Sequence, residues 1–299
     1  MTPTLDRIIS TIRVPRVGVL DVYFGAGERQ AAVEQQFFSS LWMPNGTAKT
    51  SHDGRLDDLN ALVSTLLPAD TRVAVMDVAA GSGISSLEWA EQLTATGREV
   101  RMLIGDLHAW GWLSTWGTRC AVLYLDDGRP LTVEFYGRRL DLASGRLIVR
   151  GARFLTAALF GVCSRAQPAA TLAAPRKWRP VHRRIPLFSP RVLGSPAFAL
   201  TADDIGVPGR FREQFDVVRA ANILNRSYFD ETTLSRFAAN LVARVRDGGL
   251  LAICRTSCDG TNRGTVFRRT GRSVVVRERL GGGSEVEDLV LASGAAAWE

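Results

Sequence analysis

The residues with the clearest chemical potential form a short glycine-rich stretch, Asp77-Val78-Ala79-Ala80-Gly81-Ser82-Gly83. It follows a run of apolar residues and precedes a helix-like segment. Glycines at such a point let the backbone approach a ligand closely, and the N-terminus of a helix offers N–H groups without partners. The stretch therefore predicts a loop that binds a ligand.

Acidic residues follow two later apolar runs. Asp106 ends the run Val100–Asp106, and a carboxylate there can accept both hydroxyl groups of a ribose. Asp203 or Asp204 ends a third run, where an adenine amino group can be read. Because ligands bind outside the carboxyl ends of the strands in an open α/β sheet, these acids and the glycine stretch are expected at one edge.

The elements that must position these residues alternate between strand and helix. Val73–Ala79 and Val100–Asp106 are predicted strands that flank a helix over Ile84–Leu93, which together make a βαβ unit. Asp230–Val245 is a further predicted helix. The other predicted strands are Phe198–Thr201, Phe215–Ala221, Leu250–Cys254, Thr265–Arg269 and Ser273–Arg279, with Asp288–Ala292 as a possible partner in an antiparallel pair at the sheet edge.

Two regions lie outside this alternation. Apolar residues at helical spacing predict helices over Glu28–Leu41 and Leu56–Leu67 near the N-terminus. Between the second and third strands, an Asp-Asp-Gly turn predicts a β-hairpin from Ala121–Leu125 and Leu131–Tyr136. A helix over Leu147–Val162 and a loop over Ala166–Pro196 are expected to follow.

Taken in order, these segments resemble the class I S-adenosylmethionine (SAM)-dependent methyltransferases. That family shows D-x-G-x-G-x-G, then an acid, then F-D-x-V, then two glycines with apolar residues. The corresponding residues here are Asp77–Gly83, Asp106, Phe215-Asp216-Val217-Val218 and Asp247-Gly248-Gly249-Leu250-Leu251. The resemblance covers roughly residues 70–106 and 198–299, and Ala79 stands where the family usually has its first glycine.

The resemblance implies an α/β, Rossmann-like seven-stranded sheet whose last strand is antiparallel, with SAM across the carboxyl ends. It implies a helical cap or lid over residues 1–70 and a SAM-binding domain over 71–299, in which 107–195 is a β-hairpin and helix insertion. Asp77, Ala79, Gly81 and Gly83, with Ser82, would hold the methionine part. Asp106 would bind the ribose. The remaining residues implied at the cofactor are Leu107, Asp203, Asp204 and Ala220.

A nicotinamide-dinucleotide domain is the competing interpretation of the glycine stretch, because its G-x-G-x-x-G pattern also follows a strand. The residue three places after Gly83 is Ser86, where that pattern needs Gly or Ala. Such a domain also does not account for Phe215–Val218 followed by the Asp247-Gly248-Gly249 turn. The methyltransferase interpretation explains both segments.

Candidate catalytic residues follow the fourth strand, which faces the transferred group in this fold. Asn222 and Asn225 have amides that can bind a substrate or orient an amine, and alternatively they satisfy backbone groups at the strand end. The pattern Asn-x-Leu-x-x-x-Tyr-Phe is also similar to the chemotaxis-receptor methyltransferases, and its Tyr228 is expected to pack. His108, two residues past Asp106, is the best-placed base, with a pocket-wall or surface role as the alternative.

Charge and composition constrain the partners. The whole excess behind the net charge of +7 lies between Leu142 and Ala202, a segment without acidic residues. This patch can attract an acidic carrier protein, a nucleic acid or a phosphate, and it can equally be a solvated surface. No nucleic-acid motif is present, so nucleic acid is not the expected partner. Cys254 and Cys258 lack neighbouring ligands, so no metal is expected.

The sequence therefore predicts a SAM-dependent methyltransferase that acts on a small molecule, either anionic or carried on an acidic protein, in specialised metabolism. One alternative is an enzyme that transfers or cyclises the aminobutyrate arm of SAM and releases methylthioadenosine. Others are a protein carboxyl methyltransferase and a non-catalytic SAM- or nucleic-acid-binding module. With no apolar run of about 20 residues and no signal peptide, a cytoplasmic protein is expected, and its oligomeric state stays open.

Overall fold

The computed structural model describes residues 17–25, 30–49, 53–69, 71–142 and 180–296. The chain divides into two compact units, one of Met1–Thr50 with Trp110–Pro190 and the other of Ser51–Ala109 with Arg191–Glu299. This division differs from the predicted domains 1–70 and 71–299. The second predicted helix belongs to the unit that holds the glycine stretch, and the first belongs to the unit built from the inserted region.

The unit with the glycine stretch contains the predicted seven-stranded sheet. The predicted Rossmann-like α/β class is confirmed, since five neighbouring strands are parallel. From one edge to the other the order is β12-β11-β10-β9-β1-β2-β8. The strands are β1 Arg72–Val78, β2 Glu99–Asp106, β8 Phe198–Ala202, β9 Phe215–Ala221, β10 Val245–Thr256, β11 Asn262–Thr270 and β12 Ser273–Leu280.

Helices of this unit bury apolar faces next to the sheet. The helix α6 (Glu231–Arg244) begins at Asp230, whose carboxylate accepts a hydrogen bond from Thr233 N at 2.7 Å and so caps the first turn. Its buried residues Leu234 and Leu241 join the core formed with β1, β9 and β10. The other helices described in this unit are α3 (Asp57–Leu66), α4 (Ile84–Ala95) and α7 (Glu287–Ala296), and the short α5 (Pro190–Leu193) starts at its boundary.

The far edge of this sheet corrects two expectations. The antiparallel strand is the penultimate one, β11, which pairs with β10, while the last strand β12 pairs antiparallel with β11 and thus runs parallel to β10. Consecutive hairpins explain this order, because antiparallel neighbours need only a short turn. Asp288–Ala292, expected as a strand, lies within α7 instead.

The other unit is built on an antiparallel sheet of order β6-β5-β4-β3-β7. The predicted hairpin is confirmed as β4 and β5, and residues of α1 and α2 join the apolar core with this sheet. The strands are β3 Trp110–Trp116, β4 Cys120–Leu125, β5 Pro130–Phe135, β6 Arg138–Asp141 and β7 Pro180–Pro186, and the helices are α1 Val19–Phe24 and α2 Gln30–Ser40.

The strand β7 overturns part of the loop predicted over Ala166–Pro196. Residues 180–186 pair antiparallel with β3 over its whole length. The prolines that suggested a loop stand at the two ends of β7, which is an edge strand, and proline is tolerated in such a place. The helix predicted over Leu147–Val162 lies outside the described residues.

A buried carboxylate caps the first helix of this unit. Glu134, only 6% exposed, accepts hydrogen bonds from the backbone N–H groups of Val19 and Leu20 at the start of α1. A Cβ on Gly18 would collide with the Glu134 carboxyl group, so a larger residue there would require that side chain to shift. Burial raises the pKa of the Glu134 carboxyl group to about 7, although the backbone hydrogen bonds and Arg139 oppose that rise.

This raised pKa predicts a pH-dependent stability. Between pH 4.5 and about 7, Glu134 is ionised in the unfolded chain and protonated in the folded chain. Its contribution to the free energy of unfolding is therefore fully present at low pH and is lost as the pH rises through this range. The expected loss is about 2.5 kcal/mol between pH 5 and pH 8. In Glu134→Gln this part of the pH dependence should disappear, as measured by urea unfolding followed through tryptophan fluorescence.

The exposed Asp127 of the same unit serves as the control, since Asp127→Asn should leave the pH dependence in place. An unchanged pH profile in Glu134→Gln would show that the buried carboxyl does not titrate in this range.

Candidate functional site

The candidate site lies at the carboxyl ends of the parallel strands, where the glycine stretch connects β1 to α4. Three of its residues take left-handed backbone conformations, with φ of 54° at Ala79, 63° at Gly81 and 78° at Gly83. Glycine adopts this conformation freely, whereas a Cβ is disfavoured there. The loop therefore turns sharply three times within five residues, and Ala79 is the one position where the turn carries strain.

Asp106 is tied directly to this loop. Its Oδ2 accepts a hydrogen bond from Gly81 N at 3.1 Å, and its Oδ1 accepts one from His108 N at 2.9 Å. The backbone of Ala80 donates to the Gly105 carbonyl oxygen at 3.1 Å, which holds the loop against the end of β2. The Asp106 carboxylate thus joins the glycine loop to the end of β2.

The loop also contains a buried polar atom without a partner. Ser82 is fully buried, and its Oγ makes no hydrogen bond within the part of the chain that the structure describes. A buried hydroxyl without a partner costs free energy, so such groups in native proteins call for an explanation. A polar ligand seated on the loop would satisfy this atom.

Asp77, which the resemblance places at the methionine part of the cofactor, is enclosed by groups of the protein. It is 2% exposed, and it forms a bidentate ion pair with Arg219, which is fully buried. Arg219 Nε lies 2.9 Å from Asp77 Oδ1 and Nη2 lies 2.5 Å from Oδ2. The two residues are register partners on β1 and β9, so the sheet itself places them side by side.

The two acids that were alternatives for the adenine differ sharply in environment. Asp203 is 4% exposed and forms an ion pair with the buried Arg244 at the end of α6, with an Nη1–Oδ2 distance of 2.5 Å. Asp204 is exposed, and its Oδ1 accepts a hydrogen bond from Gly206 N at 2.8 Å. Of the two, only Asp204 has a carboxylate that solvent or a ligand reaches.

The remaining cofactor candidates also differ from each other. Leu107 follows Asp106 and is 54% exposed, which suits an apolar surface beside a ligand. Ala220 is fully buried in the core of the unit, so its methyl group faces other apolar side chains. Leu107 thus lies at the edge of the sheet with Asp106, whereas Ala220 contributes packing below it.

The candidate catalytic asparagines hold backbone groups. Asn222, at a left-handed φ of 62°, accepts a hydrogen bond from Thr256 N at 2.7 Å and so joins the ends of β9 and β10. Asn225 is buried, and its Oδ1 accepts one from Ser227 N at 2.7 Å.

Tyr228 is 65% exposed, so the expectation that it packs is wrong. His108 is half-buried beside Asp106, and its role as a base stays a prediction.

Sequence reasoning missed the buried arginines that pair with Asp77 and Asp203, namely Arg219 and Arg244. A signal was present for Arg219, because it interrupts the apolar run from Val217 to Ala221 in the central strand. A charged side chain there must be paired, and the nearest strand with an acid in a matching place is β1. Arg244 gave no such signal, since an arginine in the last turn of a helix is ordinary.

Comparisons with known proteins find only distant structural similarity. No family model matches the chain, and the search of curated proteins finds no match. Similar solved structures include the [4+2]-cyclase SpnF, with 14% identity over 83% of this chain and 60% of that one, at a TM-score of 0.34. Another is the CMeT domain of the citrinin polyketide synthase, with 13% identity over 79% and 41% of the two chains, at 0.35.

A third similar structure is 1,6-didemethyltoxoflavin-N1-methyltransferase from Burkholderia thailandensis, with S-adenosylhomocysteine bound. It shares 11% identity over 81% of this chain and 67% of its own, at a TM-score of 0.34. The chain spans about three fifths of the length of SpnF. Likeness at this level says nothing about activity. The Rossmann-like α/β fold of this chain rests on its own sheet order and on the glycine loop between β1 and α4.

The left-handed Ala79 generates a stability prediction. Ala79→Gly removes the steric cost of a Cβ at φ of 54°, and this gain outweighs the added freedom of the unfolded chain. The variant should be about 0.5–1 kcal/mol more stable, as measured by urea unfolding. Ala80→Gly is the matched control, because Ala80 has no positive φ, and it should lose about 0.4–1 kcal/mol. Equal losses in both variants would contradict the strain.

Proposed function

We propose that this chain is a SAM-dependent methyltransferase that acts on a small molecule of specialised metabolism. The observation that carries the proposal is the hydrogen bond between Gly81 N and the Asp106 carboxylate, 3.1 Å long. It fixes a sharply turned glycine loop and a carboxylate against each other at the carboxyl edge of the sheet, where open α/β sheets bind ligands.

Several features of the site fit the cofactor. The loop leads into the N-terminus of α4, and such a helix end favours a negatively charged group of a ligand. The buried Ser82 hydroxyl lacks a partner among the described residues. Asp106 would hold the ribose hydroxyls. Asp204, the reachable one of the two acids after β8, would face the adenine, with Leu107 beside it.

The chain's own residues bind and orient more than they exchange protons. When bound, SAM supplies a methyl group on a sulfonium, and the sulfur leaves as a neutral thioether. In-line positioning then accounts for most of the acceleration, so a catalytic dyad is not required. Asn222 fixes the end of β9 against β10 by its hydrogen bond from Thr256 N, and Asn225 holds the segment that follows through Ser227 N. His108 is the candidate that accepts a proton from the acceptor.

The sequence supports a small acceptor molecule. No nucleic-acid motif accompanies the fold, so a small acceptor is proposed, either free or carried on an acidic protein. Within the described residues, no helix combines the length and the apolar character needed to cross a bilayer.

One experiment separates the possible activities. The purified chain is incubated with SAM alone, the nucleosides are identified by mass spectrometry, and S-adenosylhomocysteine binding is measured by calorimetry. Tight binding with unchanged SAM is the expected result. Methylthioadenosine formed faster than without protein would replace methyl transfer by chemistry on the aminobutyrate arm. Absence of binding would contradict the proposal.

A variant in the same strand tests the site itself. Asp106→Asn removes the charge expected to accept the ribose hydroxyls, and affinity for S-adenosylhomocysteine should fall about tenfold or more. Glu99→Gln is the control, because Glu99 stands at the opposite end of β2 in an exposed pair with Arg72, 2.9 Å long. Similar affinities in the two variants would show that Asp106 does not contact the ligand.

A further inference from the structure

Both carboxylate oxygens of Asp77 are already occupied by groups of the protein. Oδ1 accepts from Arg219 Nε at 2.9 Å, and Oδ2 accepts from Arg219 Nη2 and from Ser86 Oγ, each at 2.5 Å. The pair is enclosed, with exposed fractions of 2% for Asp77 and 0% for Arg219. A ligand ammonium could reach this carboxylate only by displacing a buried guanidinium.

Arg219 is held from its other sides as well. Its Nη1 donates to Asn60 Oδ1 on α3 at 2.6 Å, and its guanidinium carbon lies 4.5 Å from the ring centroid of Trp89 on α4. A displaced Arg219 would lose these contacts and leave its charge unpaired in the interior, which is strongly unfavourable. The arrangement therefore keeps Asp77 and Arg219 together whether or not a ligand is present.

Asp77 links the two ends of the glycine loop, because it precedes the loop and bonds to Ser86, which follows the loop. Asp77 lies two residues before the left-handed Ala79, and Ser86 lies in the first turn of α4, three residues after Gly83. The hydrogen bond between them closes the loop between two fixed points. Through Arg219 this link extends to the neighbouring strand β9, and through Asn60 it extends to α3.

We infer that Asp77 and Arg219 are positioning residues for the glycine loop, and that the ammonium group of a bound cofactor is held by other groups than Asp77. This inference deepens the proposed function and rests on it. It departs from the role that the family resemblance gives to Asp77. A substitution that breaks the pair should lower the affinity for every ligand that contacts the loop, whether or not the ligand carries an ammonium.

Two probes distinguish positioning from direct contact. S-adenosylhomocysteine carries the ammonium, and its desamino analogue keeps the carboxylate and lacks only the ammonium. Their affinities are measured by calorimetry for the wild-type chain, for Asp77→Asn and for the double variant Asp77→Asn/Arg219→Met. The ratio of the two dissociation constants reports the ammonium contact alone, and the thermal midpoint of each variant is recorded alongside.

Asp77→Asn is expected to weaken both probes by the same factor, so the ratio stays at its wild-type value. The double variant is expected to recover part of the affinity for both probes and part of the thermal midpoint, because it leaves no unpaired guanidinium. If Asp77→Asn does not fold, the ratio of the two dissociation constants is measured in the double variant, where the same wild-type value is expected.

A direct contact gives the opposite pattern. Loss of an ammonium–carboxylate contact would change the ratio about tenfold or more, with the desamino analogue unaffected and no recovery in the double variant. That result would overturn the inference. If the wild-type chain bound neither probe, the proposed function would fail, while the thermal midpoints of the two variants would still test the structural part of the pair.

Discussion

The ion pair between Asp77 and Arg219 is the constraint around which the rest of the site is arranged. Two opposite charges sit in the interior of the sheet, and each is tolerable there only because the other is 2.5–2.9 Å away and further hydrogen bonds complete it. Removing one partner of such a pair typically costs about 3–5 kcal/mol, so β1 and β9 are obliged to keep their register. The same residues adjoin the loop that gives the edge of the sheet its binding geometry.

From that fixed base, the site is built mostly of backbone. The loop between β1 and α4 turns through three left-handed residues, and Asp106 reaches across from β2 to hold it. A second buried pair, Asp203 with Arg244, plays a comparable part at the end of β8 and leaves Asp204 as the exposed acid. The acidic residues that the sequence suggested as ligand-binding groups therefore fall into two classes. Asp77 and Asp203 are buried and paired with arginines, whereas Asp204 is exposed.

The sequence predicted the local features well and the distant ones poorly, for a physical reason. The β1–α4–β2 unit was predicted to within a few residues, because an apolar run, a glycine turn and helical periodicity are all local signals. The strand β7 was missed, since its pairing with β3 depends on residues far along the chain. The ion pair was missed for the same reason, because Asp77 and Arg219 are 142 positions apart.

Roles within the site were harder to predict than its position. A carboxylate at the end of a strand has the same sequence signature whether it binds a ligand, as proposed for Asp106, or pairs with a buried arginine, as Asp77 does. The two roles are distinguished only by the group that the carboxylate contacts in the folded chain. The asparagines after β9 show the same ambiguity, and their hydrogen bonds to backbone groups favour a structural role.

The most direct test of this account is a crystal structure of the chain soaked with S-adenosylhomocysteine. The ligand is expected to lie across the ends of β1 and β2, with its ribose hydroxyls on Asp106 and the Asp77–Arg219 pair intact beneath the loop. A ligand whose ammonium bonds to Asp77, with Arg219 displaced, would contradict it, as would a ligand bound away from this edge.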